Sequence, residues 1–218
     1  MSNTRFLKEL ARQRTCEIIE VDYTKEFAIL EATMLNLKHL KPMFHRRMNH
    51  TGLLFQYALQ NLYDTTKKPE FQKNYDYILA AFYCNMGFIA IESSLYRGGY
   101  VSEHDIKTIK RHIYISHNLM EEKKLHKVAE IVKRHHEKPD GSGYLKEQNT
   151  TDKQLAIINI VDVFIDNILP SKRPDVALML EEAVYECMKG YTTGLLLNND
   201  EQDIVVASII SYYKEYMS

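Results

Sequence analysis

The 218-residue sequence has almost no net charge, few cysteines and no long apolar run, and each shortage excludes something. With 28 Lys and Arg against 29 Asp and Glu, the formal charge is −1, so nothing global commits the chain to duplex nucleic acid or to an anionic membrane. The 3 cysteines, Cys16, Cys84 and Cys187, are odd in number, far apart and without a CxxC spacing, which favours reduced thiols over a disulfide framework. No stretch of eighteen apolar residues is present, and the N-terminus, with Arg5, Lys8 and Glu9, lacks the apolar core of a signal peptide. A cytoplasmic location is the expectation. Internal repeats and low-complexity tracts are also lacking, as is any convincing strand after residue 25.

What is present is helical periodicity. Phe6, Leu7, Leu10 and Ala11 space as one face of a short helix over residues 2–14. Ile18, Ile19 and Val21 alternate as a strand would, yet Phe27, Leu30, Met34, Leu37 and Leu40 continue in helical register, which favours helix. Pro42 separates one helix from the next, and a strong period over 43–63 carries His45 and His50. A polar, lysine-rich connection at 64–74 leads to Tyr75–Ile91, apolar nearly all round and expected as a single core helix. Ser102, with Glu103 and Asp105, caps a helix running through Ile106 and His112 towards Met120, and another spans Leu125–His136. Asp152 is placed to cap Gln154–Ile168, which has Asp162 in its middle; amphipathic helices follow over Val176–Lys189 and Ile204–Tyr216. These patterns predict an all-α fold, a bundle of helices.

The densest chemistry lies in the stretch from Arg134 to Tyr144. Two adjacent imidazoles, His135 and His136, run from a helix end into a turn of Pro139, Asp140, Gly141 and Gly143, where backbone is free to approach a ligand. The same pattern also suits a solvated basic helix end, where histidine sits well near the last carbonyls. Asp162 is different, because a charged aspartate in an apolar stretch demands a partner.

Taken together, His135, His136, Glu137, Asp140, Gly141, Ser142, Gly143 and Tyr144 resemble the signature of the HD-GYP family, bacterial phosphohydrolases of the HD superfamily that cleave cyclic di-GMP. His112 resembles the family's histidine between the HD motif and the paired histidines, and Asp162 its late aspartate. His50 is similar to the first histidine, with His45 as the less suited alternative, and Arg173-Pro174 matches the pattern downstream. The resemblance covers residues 43–216 and implies an HD-type helical bundle extended by C-terminal helices. The chain then divides into an N-terminal helical segment, 1–42, and an HD-GYP-like domain, 43–218. The resemblance also implies metal ligands at His50, His112, His135, His136 and Asp162, and a ligand or partner loop at Glu137, Asp140, Gly141, Gly143 and Tyr144. Donors spread over several helices are how such a bundle assembles a metal site that activates water and neutralises phosphate charge.

One part of the family pattern is missing. Its core helix carries the His-Asp pair, followed by a glycine and a lysine; with Gly87 at that glycine, Cys84 and Asn85 fall on the pair and Phe88 on the lysine. An asparagine carbonyl is neutral and a poor substitute for a bridging carboxylate. A cysteine in an apolar helix has its pKa raised and behaves as core, and Phe88 cannot contact phosphate. Ala156 stands where the family tends to have an arginine, and Leu145 replaces the proline of Gly-Tyr-Pro. The remaining set suits one divalent transition metal, Fe, Mn or Zn, at reduced affinity.

Three functions follow from the resemblance. The first is a catalytically degenerate domain acting as a signalling, binding or scaffold module that still recognises a cyclic dinucleotide or a partner protein. The alternative is an active metal-dependent phosphodiesterase with a reduced metal site. The third is a docking protein whose Tyr144 loop meets a diguanylate cyclase-type domain. Neither duplex nucleic acid nor a membrane is an expected partner, and the N-terminal helices are available for homodimerisation.

Overall fold

A computed structural model of the chain describes residues 24–92, 95, 102–146, 151–169, 177–191 and 196–217. The helix expected at 2–14, the Cys16–Tyr23 segment and Arg173-Pro174 lie outside the described residues. The chain divides into two compact units, one ending at Asn36 and the other running from Leu37 to Ser218. The candidate site lies in the second.

All regular structure among the described residues is helical, as the periodicity predicts. Helix α1 spans Thr24–Leu40 and α2 spans Pro42–Thr66, started by Pro42, whose missing N–H costs nothing in a first turn. A 3-10 turn at Pro69–Phe71 leads to α3, Tyr75–Tyr83, where the Asn74 side chain accepts from the Asp76 N–H. Then come α4 (Glu103–Lys110), under a Ser102/Asp105 capping box, α5 (His112–Glu122) and α6 (His126–Arg134). Helix α7 (Lys153–Ile168) begins under the expected Asp152 cap, and α8 (Leu180–Met188) and α9 (Asn199–Tyr216) follow. Helix α2 packs against α3, α7 and α9, α5 against α6, and α7 against α8. No helix among the described residues is long and apolar enough to cross a membrane.

The segment Tyr75–Ile91 is not the single core helix that its composition predicts. Helix α3 stops at Tyr83, and beyond Cys84 and Asn85 the backbone tightens into a 3-10 turn, Met86–Ala90. Close packing explains the break. A Cβ on Gly87 would lie 2.2 Å from the His112 carbonyl oxygen, so the chain must run against the first residue of α5 where only glycine fits. Ser116 satisfies the interrupted backbone, accepting from the Gly87 N–H at 2.7 Å and donating to the Cys84 carbonyl at 2.9 Å. Lys41 closes the other end, its Nζ donating to the carbonyls of Phe88 at 2.8 Å and Ile91 at 2.6 Å.

The thoroughly buried helix is instead α7, in which Gln154 to Asp162 are buried without interruption. Helix α9 also begins before its apolar pattern at Ile204. The Asn198/Glu201 capping box starts it at Asn199, and the buried Glu201 carboxylate takes Lys68 at 2.6 Å and Lys153 at 2.8 Å, fixing the helix N-terminus to the α2–α3 connection and to α7.

Candidate metal centre

His112 opens α5, and His135 and His136 directly follow α6, so the packing of α5 on α6 brings the three imidazoles together. Their ligand atoms lie within 4.8 Å of one another. Backbone carbonyls, which only accept, fix two of the rings: His112 Nδ1 donates to the Ile109 carbonyl at 2.8 Å and His135 Nδ1 to the Val132 carbonyl at 2.6 Å. In the neutral rings Nε2 is therefore the bare nitrogen. His112 Nε2 lies 3.4 Å from His135 Nε2 and 3.2 Å from His136 Nε2. Nitrogens bound at about 2.1 Å to one tetrahedral-to-octahedral ion sit roughly 3.0–3.4 Å apart, so both spacings from His112 match and the group could hold a metal.

Burial works in the same direction. His112 and His135 are 1% and 0% exposed, and desolvation holds both below the ordinary histidine range despite Asp162 nearby, so they remain neutral and able to donate lone pairs. Phe88, at the position compared with a lysine, stacks on His112 at 4.3 Å between centroids and on Phe44 at 4.7 Å. Tyr144 covers the other side, stacked on His136 at 4.2 Å, with Lys110 Nζ 4.6 Å from its ring centroid. Burial, followed by Asp162 and Asp166, pushes the Tyr144 hydroxyl up to about 12.

Asp162, completely buried on α7, takes other partners. Arg47 Nη2 of α2 lies 2.9 Å from its Oδ2, and the Asn85 amide donates to Oδ1 at 2.6 Å. The second guanidinium nitrogen of Arg47 reaches Asp166 at 2.5 Å. Burial alone would raise the Asp162 pKa, but Arg47, His135 and the hydrogen bonds from Arg47 and Asn85 hold it below the usual carboxylate range. Burial likewise opposes the Arg47 charge and is outweighed by Asp162 and Asp166. Arg47 Nε and Asn85 Oδ1, both buried, have no hydrogen-bond partner among the described residues.

The remaining expected site residues divide into scaffold and rim. His50 is given to α9, its Nδ1 3.0 Å from the Tyr212 hydroxyl. Burial, then Arg46, lowers its pKa to about 4. Cys84 is core: its buried thiol sits 3.6 Å from the Ala81 carbonyl, and burial pushes its pKa well up. Glu137 is buried and acts as a strut, its Oε1 accepting from the Leu145 N–H at 2.7 Å. A Cβ on Gly143 would fall 2.5 Å from that same oxygen, so the loop closes over Glu137 only with glycine there. Asp140 is exposed and accepts from the Ser142 N–H at 2.9 Å, and Gly141 turns the chain with φ of 73°. His112, His135 and His136 are thus brought together with Tyr144 over them, while His50 and Asp162 have partners of their own.

Two further residues matter here and were not singled out in the sequence. Arg47 looks like half of an Arg46-Arg47 surface pair, yet only Arg46 is exposed. Asn159 of α7 donates to the His135 carbonyl at 2.9 Å and accepts from the Tyr191 hydroxyl at 2.7 Å. Its signal was present: Asn159, Asp162 and Asp166 recur at i, i+3 and i+7 in an apolar helix, a polar stripe on a face that otherwise packs inward.

A family model described as HD domain matches residues 30–189. No curated protein matches the chain.

Proposed function

The chain belongs to the HD domain family, and we propose that within it this is a degenerate HD-GYP-type domain: a signalling, binding or scaffold module that holds one divalent transition metal on His112, His135 and His136 and does not turn over cyclic di-GMP. The family is of metal-dependent phosphohydrolase type. One observation carries the proposal. Asn85 stands where the family's bridging aspartate would be and donates to the Asp162 carboxylate at 2.6 Å, while Arg47 at 2.9 Å balances the Asp162 charge, so the acids a second metal would need are absent or already paired among the described residues.

A divalent ion on the three imidazoles supplies Lewis acidity towards one oxygen ligand. The chain's own residues hold and shield that position. The Ile109 and Val132 carbonyls set the tautomers of His112 and His135, Asn159 anchors the His135 backbone, and Phe88 and Tyr144 wall the rings from water. Among the described residues no second metal clamp for an in-line phosphoryl displacement accompanies them. A cyclic dinucleotide or a diguanylate cyclase-type domain is the ligand or partner that the resemblance implies.

Purified protein incubated with cyclic di-GMP and manganese or iron is expected to yield neither linear dinucleotide nor GMP. Metal-dependent product that disappears on His135→Ala and His136→Ala would overturn the proposal. It would also establish the second reading, an active phosphodiesterase with a reduced metal site, which the intact histidine group favours. Tyr144→Ala tests the partner loop: an association that survives the substitution unchanged removes Tyr144 from the docking surface.

A further inference from the structure

A carboxylate buried as deeply as Asp162 stays ionised only beside a compensating cation. In a two-metal centre that cation is a metal ion. Here both carboxylate oxygens are already served, Oδ2 by the Arg47 guanidinium at 2.9 Å and Oδ1 by the Asn85 amide at 2.6 Å. Asn85 is the residue aligned with the family's aspartate, and Arg47 is 2% exposed, with its other terminal nitrogen on Asp166 at 2.5 Å. A guanidinium cannot be titrated away and is tethered to α2, so its charge is present in every state of the protein.

The two halves of the centre are physically joined. Arg47 Cζ lies 6.0 Å from the centroid of Phe88, and the same ring stacks on His112. The field of the Arg47–Asp162 pair reaches His112 and His135.

Resting on the single-metal reading above, we infer that the Arg47 guanidinium replaces the second metal of the centre: it holds Asp162 ionised behind the three histidines, excludes that carboxylate from metal ligation, and limits the chain to one ion. The carboxylate half of the site is therefore complete before any ion arrives.

The test uses the full chain, stripped of metal and reloaded with manganese or zinc, with ions per chain counted by plasma mass spectrometry and affinity measured against a chelator. One ion per chain is expected, lost in His135→Ala. Asp162→Asn should leave the count unchanged and the affinity within about threefold, whereas a drop of about tenfold or more would make Asp162 a ligand and overturn the inference. Two ions in the wild-type chain would overturn it as well. The positive arm is Arg47→Met combined with Asn85→Asp, which should take a second ion that Asp162→Asn then removes; a folded double variant still limited to one ion overturns the inference. If the double variant folds only with metal, its melting temperature should rise with manganese more steeply than that of the wild type, and an equal or smaller rise counts against Arg47. Hydrolysis of cyclic di-GMP by a wild-type chain holding one ion would sink the functional reading and leave Arg47 in its role, so the two failures are separable.

Discussion

His112 and His135 face each other through Nε2 at 3.4 Å, each fixed in that pose by a carbonyl three residues earlier in the sequence. Two neutral imidazoles so held set lone pair against lone pair, a repulsion that a shared cation removes. The metal-loaded chain should therefore melt higher than the stripped one. At an ion concentration of a hundred times the dissociation constant the gain is about 2.7 kcal/mol, measurable by calorimetry and absent in His112→Ala.

Arg47→Ala should destabilise the fold by about 3–5 kcal/mol in urea titrations at pH 7, because it leaves the buried Asp162 charge uncompensated. The sign with pH follows from linkage. Asp162 is held below its unfolded pKa, so its contribution is present above that value and is lost as pH falls through the depressed folded one. Without Arg47 the folded pKa rises, the carboxyl takes a proton, and the deficit relative to wild type should shrink between pH 7 and pH 4.

His50 titrates with the opposite chemistry. Its folded pKa of about 4 lies below the unfolded histidine value of about 6.5, so the native state refuses a proton that the unfolded chain accepts. The stability that it contributes is full above the unfolded pKa and is lost as pH falls from there towards the folded one. Lowering the pH from 7.5 to 5 should cost about 2 kcal/mol through this residue. Subtracting the urea-derived stability of His50→Gln at each pH isolates the loss; a difference that does not vary with pH would remove His50 as its source.

How much of this was legible depended on whether a residue's partner lay close in sequence. The His135-His136-Glu137 run and its glycine turn are local, and they led directly to the three-histidine cluster. Capping residues such as Ser102 and Asp152 are local too, and each caps its helix. Asp162 in an apolar helix demanded a partner, and Arg47 shares the helical face of Phe44, Leu54 and Ala58, yet which residue meets the carboxylate is settled only by how α2 lies on α7. The break after Tyr83 was hidden for the same reason. Its cause is the approach of Gly87 to a carbonyl on α5, a contact between residues far apart in the chain.

That contact can be tested. Gly87→Ala must displace the first residue of α5 to relieve a Cβ–oxygen separation of 2.2 Å, so it should destabilise by about 1–3 kcal/mol in urea and also weaken metal binding through His112. Loss of stability with metal affinity untouched would show that α5 absorbs the change elsewhere.

Asn159→Ala removes a donor from the His135 carbonyl and an acceptor from the Tyr191 hydroxyl, both buried. A destabilisation of about 1–3 kcal/mol is expected from the groups left unsatisfied, with a fall in metal affinity of about tenfold as His135 loses its anchor. Chelator competition and thermal melts measure the two effects separately.

The pairing of Asn85 and Arg47 on one carboxylate also constrains how this sequence can change over generations. Asn85→Asp alone would set a second negative group against Asp162 where an amide now donates at 2.6 Å, and loss of Arg47 alone would strand a buried charge. Either single step leads downhill in stability, while the two together open room for an ion. The two positions are therefore coupled, and substitutions there are tolerated as a pair and not one at a time.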